Sequence, residues 1–401
     1  MAEDNLRGVY TEALAAHEAG ESEQAVQLYD RILARYPDAD LVLYNRGLAL
    51  YELARFAEAA DSFSHAALVR DDEADYRFNL GLALKQDHRY SEAEQAYKQA
   101  LQLQPNDPDI LYNLANCCRE GGNLEQAAAG YEQLLIQDPE HQEALNNFAY
   151  LCHCQHDYER AEQLYQQLLV LQPKHPGALH MLAAIRGTAE QSPASEYVRD
   201  LFDQYSDTFE QSLVEKLEYR VPQLLFDLLD TCGELAADNR KGFTDCLDLG
   251  CGTGLAGQLF KPLVSRLTGV DLSGNMVALA GEKGIYDRLA TDDVVHFLDN
   301  EPQPFDLHIA ADLLTYLADL EPILQAVAAR STPGSLFIFS TEHGSRPGWQ
   351  IRPTGRFAHH PEYIIETATQ YGWQMICREQ ADLRREGDDW VKGDLFILQS
   401  S

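Results

Sequence analysis

With 401 residues the chain is long enough for two or three domains, each with a sizeable core, and an apolar content of 45% marks it as globular rather than disordered. A formal net charge of -33 repels phosphate backbones and anionic lipid, so neither nucleic acid nor a membrane surface is an expected partner. There is no apolar run of 18 residues, and residues 1–5 lack the basic region and apolar stretch of a signal peptide, so the expected location is cytoplasmic. The eight cysteines include no Cys-x2-Cys pair and read as small apolar core residues of a reducing compartment. Cys152, His153, Cys154 and His156 fall at spacings that do not share a helix face, so no metal site is expected.

From residue 6 to residue 175 a 34-residue period runs without insertion. One column reads Ala25, Ala59, Ala93, Ala127, Ala161, a second Tyr29, Phe63, Tyr97, Tyr131, Tyr165, and a third, closing each unit, Pro37, Asp71, Pro105, Pro139, Pro173. The pattern resembles the tetratricopeptide repeat (TPR), with Asp71 its one departure. Small residues let two helices approach, the aromatic is expected to fill the gap to the next unit, and proline ends the second helix. Residues 176–186 match only the first helix of a sixth unit, as a capping helix does. The expected fold therefore begins with an α-solenoid over residues 1–186.

A further column, Asn45, Asn79, Asn113, Asn147, sits where the resemblance places the concave face of a TPR superhelix. Carboxamides both donate and accept, so such a ladder suits the backbone of an extended protein or peptide partner; stabilisation of the helix pairs is the other reading. The position before this column is aromatic in four units (Tyr10, Tyr44, Phe78, Tyr112), a stripe that packing between helices explains at least as well. Asp75, Asp109 and Glu143 on the first helices argue against an acidic peptide and for a basic or neutral one.

Residues 187–196, small, polar and proline-bearing, read as a linker, and 197–240 as aromatic-rich helices; their centre, with Tyr205 and Phe209, resembles the segment that in many methyltransferases folds over the cofactor, which implies a helical lid. Residues 243–249 then supply a strand that runs into Asp248-Leu-Gly250-Cys251-Gly252-Thr-Gly254, with a helix from Leu255. The glycine spacing departs from the dinucleotide fingerprint, whose third glycine comes later, and an acid at 248 suits an amino group better than a pyrophosphate. The stretch resembles motif I of class I methyltransferases, which use S-adenosylmethionine.

That resemblance implies a Rossmann-like α/β domain over residues 241–401, with a seven-stranded, mostly parallel sheet and one antiparallel hairpin. Its second strand, 266–270, ends at Asp271, placed to accept ribose hydroxyls, and Leu272 and Met276 follow. After the third strand, 287–290, Asp293 or else Asp292 is aligned with the acceptor of the adenine amino group and Val294 with the neighbouring amide; helix capping uses the same chemistry. Together with Asp248, Gly250, Cys251, Gly252 and Gly254 these make the expected cofactor site. The fourth strand, 305–311, leads to Asp312 and Tyr316 at the place where the methyl group leaves. A fifth strand, 334–340, and final strands at 373–377 and 394–398 complete the sheet.

Residues 349–363 are the stretch expected to decide the substrate. Its run Gly355-Arg356-Phe357-Ala358-His359 resembles one in predicted bacterial methyltransferases that carry TPR units, proteins similar to this chain along almost its whole length. Arg356 is the expected anion contact and His359 the expected base, with Arg384 and Arg385 as possible additions. The favoured reading is methylation of a protein or peptide recruited by the groove; the alternatives are a small anionic metabolite, or a scaffold without turnover.

Overall fold

The structure, a computed structural model, describes residues 2–188, 195–211, 217–232, 242–387 and 389–401; the side chains of 2–5, 204–209 and 211 lie outside the described set. Two compact units meet in sequence at Pro173 and Lys174.

The first unit is a row of helix pairs: α1 (Ala2–Glu18) with α2 (Ser22–Leu33), α3 (Asp40–Glu52) with α4 (Phe56–Val69), α5 (Ala74–Gln86) with α6 (Tyr90–Leu103), α7 (Pro108–Glu120) with α8 (Leu124–Gln137), and α9 (Gln142–Cys154) with α10 (Tyr158–Leu171). The alanine column is wholly buried, and the aromatic column nearly so. A Cβ added at Gly47 would lie 2.5 Å from the ring of Phe63, and one at Gly81 would lie 2.6 Å from Tyr97. Phe63 and Tyr97 therefore pack on the first helix of their own unit, whereas Tyr131 stacks on Phe148 of the next unit at 6.0 Å and so fills the gap that the sequence pattern pointed to.

The asparagine column joins neighbouring units. Asn45, Asn79 and Asn147 donate through Nδ2 to the hydroxyls of Tyr10, Tyr44 and Tyr112, at 2.9, 3.1 and 3.1 Å. At Asn113 the corresponding aromatic is Phe78, which offers no hydroxyl, and Asn113 donates to the carbonyl of Asp109 instead. Tyr44→Phe is accordingly expected to lower the stability of the array by about 1 kcal/mol in urea melts. Phe78→Tyr, which offers Asn113 the missing acceptor, is expected to cost nothing; equal losses from both would show that the hydroxyls are idle.

The second unit opens with α11 (Pro176–Arg186), so the division falls before the capping helix rather than in the 187–196 stretch. His180 of α11 bonds the carbonyl of Gly355 at 2.7 Å, which ties this helix to the C-terminal half. Next come α12 (Ser195–Gln211) and α13 (Val221–Thr231). Val221, Leu225, Leu228 and Leu229 of α13 are buried against sheet residues such as Leu267, Leu307 and Ile338, so this half of the expected lid is instead a layer of the core.

The sheet is built from β1 (Phe243–Leu249), β2 (Val264–Asp271), β3 (Arg288–Thr291), β4 (Phe305–Ala310), β5 (Ser331–His343), β6 (Trp349–Ile351), β7 (Phe357–His359), β8 (Trp373–Glu386) and β9 (Asp389–Ser400). Its order is β3-β2-β1-β4-β5-β7-β6, with β9 antiparallel to β5 and β8 antiparallel to β9. Seven strands were expected; the extra pair, β6 and β7, is a short antiparallel hairpin that turns at Gly355, where φ is +81°.

Helices α14 (Leu255–Phe260) and α15 (Gly274–Glu282) follow β1 and β2; α16 (Val294–Asn300), α17 (Glu321–Ala329) and α18 (Pro361–Gln370) follow β3, β4 and β7. Apolar residues of α16, α17 and α18 cover the face opposite α13 and α14, leaving the carboxyl ends of the central strands as the open edge. Cys232 and Cys377 form a disulfide between the end of α13 and β8, Cα atoms 6.6 Å apart, against the reading of every cysteine as a free core residue. Their 145-residue separation conceals the pairing in the sequence.

Candidate functional site

A cavity opens at the carboxyl ends of β1, β2 and β4, bordered by Gly250, Cys251, Gly252 and Thr253 from the turn after β1. Gly250 and Gly254 take left-handed φ values of +66° and +91°, which side-chain-bearing residues rarely adopt. Gly254 does not border the cavity: a Cβ there would lie 3.1 Å from the ring of Tyr286, which packs beneath the turn. The Tyr286 hydroxyl donates to Asp248 Oδ2 at 2.7 Å. Asp248 is thus placed behind the turn rather than on the cavity wall, and burial pushes its carboxyl up to about 7. Tyr286 was not singled out in the sequence, and nothing local marks it.

Asp271 and Asp293 do border the cavity, with Leu272, Met276 and Val294. Asp271 Oδ2 accepts from the amide of Gly252 at 2.8 Å and Oδ1 from that of Ser273 at 2.9 Å. These bonds lock the turn after β1 to the end of β2. Burial raises the Asp271 carboxyl while the amides pull it back. Asp293 Oδ1 caps α16 through Val295 and His296, so the capping reading holds alongside its place on the wall. Asp292 is outside the cavity lining and is engaged by His296 Nδ1 at 2.8 Å.

The other end of the cavity is formed by Phe202, Tyr219, Asp312, Tyr316 and Arg356. Asp312 has φ +66°, a strained value for a residue other than glycine. Its amide donates to Ser340 Oγ at 3.0 Å, and Arg384 Nη1 reaches both of its carboxylate oxygens, at 2.9 and 3.0 Å. Arg384, 1% exposed, also pairs through Nη2 with the buried Glu342, whose second oxygen lies 3.0 Å from Arg352 Nε. Burial raises the Asp312 carboxyl, and Arg384 and Arg356 oppose it. Arg384 was named in the sequence only as an addition to a basic group; its two acids lie 72 and 42 residues away, beyond any local pattern.

Sequence comparison adds what the geometry cannot. The methyltransferase domain profile matches residues 247–337, and tetratricopeptide repeat profiles match 10–77, 44–108, 84–147 and 119–178. The chain joins a tetratricopeptide repeat array to a methyltransferase domain. The ubiquinone biosynthesis O-methyltransferase of Colwellia psychrerythraea is 26% identical over 163 residues, 35% of this chain and 65% of that protein. The Klebsiella pneumoniae enzyme of that name is 24% identical over 149 residues, 33% and 62%. The chain thus spans less than two thirds of each of these relatives. Among solved structures, YrrB, described as a TPR protein with an unusual peptide-binding site, is 24% identical and covers 43% of this chain and 89% of its own, with a TM-score of 0.40. Magnesium protoporphyrin IX methyltransferase from Synechocystis with bound SAH is 18% identical, covering 52% and 99%, with a TM-score of 0.40.

Within the methyltransferase domain, His359 departs most from expectation. It is fully buried in β7, outside the cavity lining, with Nε2 at 2.9 and 3.0 Å from the carbonyls of Leu317 and Ala318 and its ring stacked on Tyr363. A ring that donates to two carbonyls pins the loop carrying Tyr316 and is not offered to a substrate as a base. Burial lowers it to about 4, the carbonyl bonds opposing. As pH falls, the unfolded chain protonates this histidine first, near its ordinary value, so the residue costs nothing above about pH 6.5 and progressively more down to about pH 4. Asp248, shifted upward, acts in the opposite sense, so the test is differential. Between pH 7 and 5 the stability of the wild type is expected to fall by about 2 kcal/mol relative to His359→Gln, read from urea melts; a parallel pair of curves would contradict this.

The side chains of Tyr205 and Phe209 lie outside the described residues. The helix that carries them, α12, borders the cavity through Ser195, Val198 and Phe202, and Asp203 accepts from Ser273 Oγ at 2.5 Å. The ring of Phe202 meets Tyr316 edge-on at 5.2 Å.

Proposed function

We propose that the second unit transfers a methyl group from S-adenosylmethionine to a small acceptor molecule, and that the repeat array serves as a docking surface for a protein or peptide. The observation that carries this reading is Asp271: a nearly buried carboxylate on the cavity wall with each oxygen already holding one backbone amide, leaving further lone pairs for two vicinal hydroxyls. The cavity fits the rest of the cofactor. Bare backbone at Gly250 and Gly252 permits close approach, Leu272, Met276 and Val294 offer apolar walls to a purine, and Asp293 borders them. Thr253 Oγ1, on the cavity border, is buried without a hydrogen-bond partner among the described residues, as expected where a polar ligand completes the turn.

When bound, the cofactor would supply an electrophilic methyl carbon on a sulfonium: the acceptor lone pair would bond to that carbon, and the thioether would leave with the carbon–sulfur electron pair. The chain's part is placement: Phe202, Tyr219 and Tyr316 wall the acceptor end and exclude water, and Arg356 offers a cation there. With His359 withdrawn, Asp312 is the carboxylate at this end. Burial raises its carboxyl, but both of its oxygens are engaged by Arg384 and it is not free to take a proton, so the reading favours an acceptor atom that needs little help in losing one.

The likeness to the ubiquinone biosynthesis O-methyltransferases supports a small organic acceptor over the protein acceptor first favoured. Radiolabelled methyl transfer from S-adenosylmethionine into a lysate, separated into protein and small-molecule fractions, tests this. Label is expected in the small-molecule fraction; label in protein that disappears when Asn79, Asn113 and Asn147 are all changed to alanine would restore the recruited-protein reading. Among the described residues no helix is long and apolar enough to cross a membrane.

A further inference from the structure

Beside and behind the acceptor end of the cavity the guanidiniums outnumber the carboxylates they face. Three guanidiniums, Arg352, Arg356 and Arg384, gather around two carboxylates, Asp312 and Glu342. Arg384 takes both oxygens of Asp312 and one of Glu342, and Arg352 faces the other. Arg356 forms no ion pair within 4 Å among the described residues; its guanidinium lies 6.0 Å from the centre of the Tyr316 ring and borders the cavity. A half-buried guanidinium that has Tyr316 beside it and no carboxylate in contact can still take an anion, and beside an aromatic face it matches a planar carboxylate best.

Arg356 is also held in place. The Arg352 amide donates to its carbonyl at 2.8 Å, closing the β6–β7 hairpin, and His180 of α11 bonds the carbonyl of Gly355 just before it. The sheet order separates it from the cofactor end. Asp271 and Asp293 stand at the ends of β2 and β3, on one side of β1, whereas Arg356 stands on the hairpin beyond β4 and β5, on the other.

We infer that the acceptor is an aromatic carboxylic acid, its carboxylate gripped by Arg356 and its ring set against Phe202, Tyr219 and Tyr316. The inference rests on the methyltransferase reading of the same cavity and adds the chemical class of the acceptor. A doubly charged phosphate fits less well, because Asp271, Asp293 and Asp312 border the same space.

The test is calorimetry on the full chain saturated with SAH, titrated with benzoate, 4-hydroxybenzoate and 3-phenylpropanoate and, separately, with the amide of each. At least one acid is expected to bind about tenfold or more tighter than its amide. Arg356→Gln is expected to erase that preference while leaving SAH affinity within about twofold, and Arg356→Lys to restore part of it. No acid-over-amide preference in the wild type would overturn the inference without any variant having to fold. A tenfold or greater loss of SAH affinity in folded Arg356→Gln would overturn it too, assigning this arginine to the cofactor's own carboxylate. Failure of the wild type to bind SAH at all would remove the cofactor reading itself, a different result from SAH bound and acids ignored.

Discussion

Replacing Arg384 with methionine is expected to destabilise the second unit by about 3–5 kcal/mol. The substitution keeps an unbranched apolar stem and removes the charge that Asp312 and Glu342 share, leaving two carboxylates, 14% and 2% exposed, without their common partner. Arg352 faces only one oxygen of Glu342, so it cannot compensate for Asp312. Neutralising the acids in the same chain, as Arg384→Met with Asp312→Asn and Glu342→Gln, should return most of the loss, because the cost lies in unpaired charge rather than in lost packing. Urea melts of the three-fold and single variants decide it; a single variant within about 1 kcal/mol of wild type would mean the network is solvated and ordinary.

Asp271→Asn is expected to weaken SAH binding by at least about 100-fold, roughly 3 kcal/mol, as two hydrogen bonds to an ionised acceptor become bonds to a neutral amide. The side chain also loses one of its acceptor oxygens, and with it the bond that holds the Gly252 or the Ser273 amide. Asp292→Asn, one residue before the cavity wall and already engaged by His296, is expected to leave the affinity unchanged. A loss at Asp292 equal to that at Asp271 would show that charge at this edge, not contact, controls binding.

The residues that were legible in the sequence are those whose place in the fold is fixed by local spacing. The strand Phe243–Leu249 and the turn after it follow from apolar residues running into glycines, and Asp271 follows from the end of the next strand. The alanine and aromatic columns were visible because a repeat writes each three-dimensional contact several times. What escaped depends on pairing across the sheet. Tyr286 supports the turn from beyond β2, and Arg384 joins acids on β5 and beyond β4, contacts that no window of sequence contains. His359 was misjudged for a related reason: its neighbours suggested a basic cluster, but Arg356 sits in the hairpin turn before β7, on the cavity border, whereas His359 lies in β7 itself, whose three residues are all buried, against the Leu317 and Ala318 carbonyls. The asparagine column was seen, but only the 35-residue spacing to each tyrosine, realised in space, gives its donors a partner.

A crystal structure of the full chain grown with SAH tests the central claim most directly. The account predicts one SAH per chain along the carboxyl edge of the sheet, its ribose hydroxyls on Asp271, its purine against Met276 and Val294, and its sulfur facing the end bordered by Asp312 and Tyr316. SAH bound elsewhere, or a chain that excludes it while the cavity is filled by its own side chains, would contradict the account.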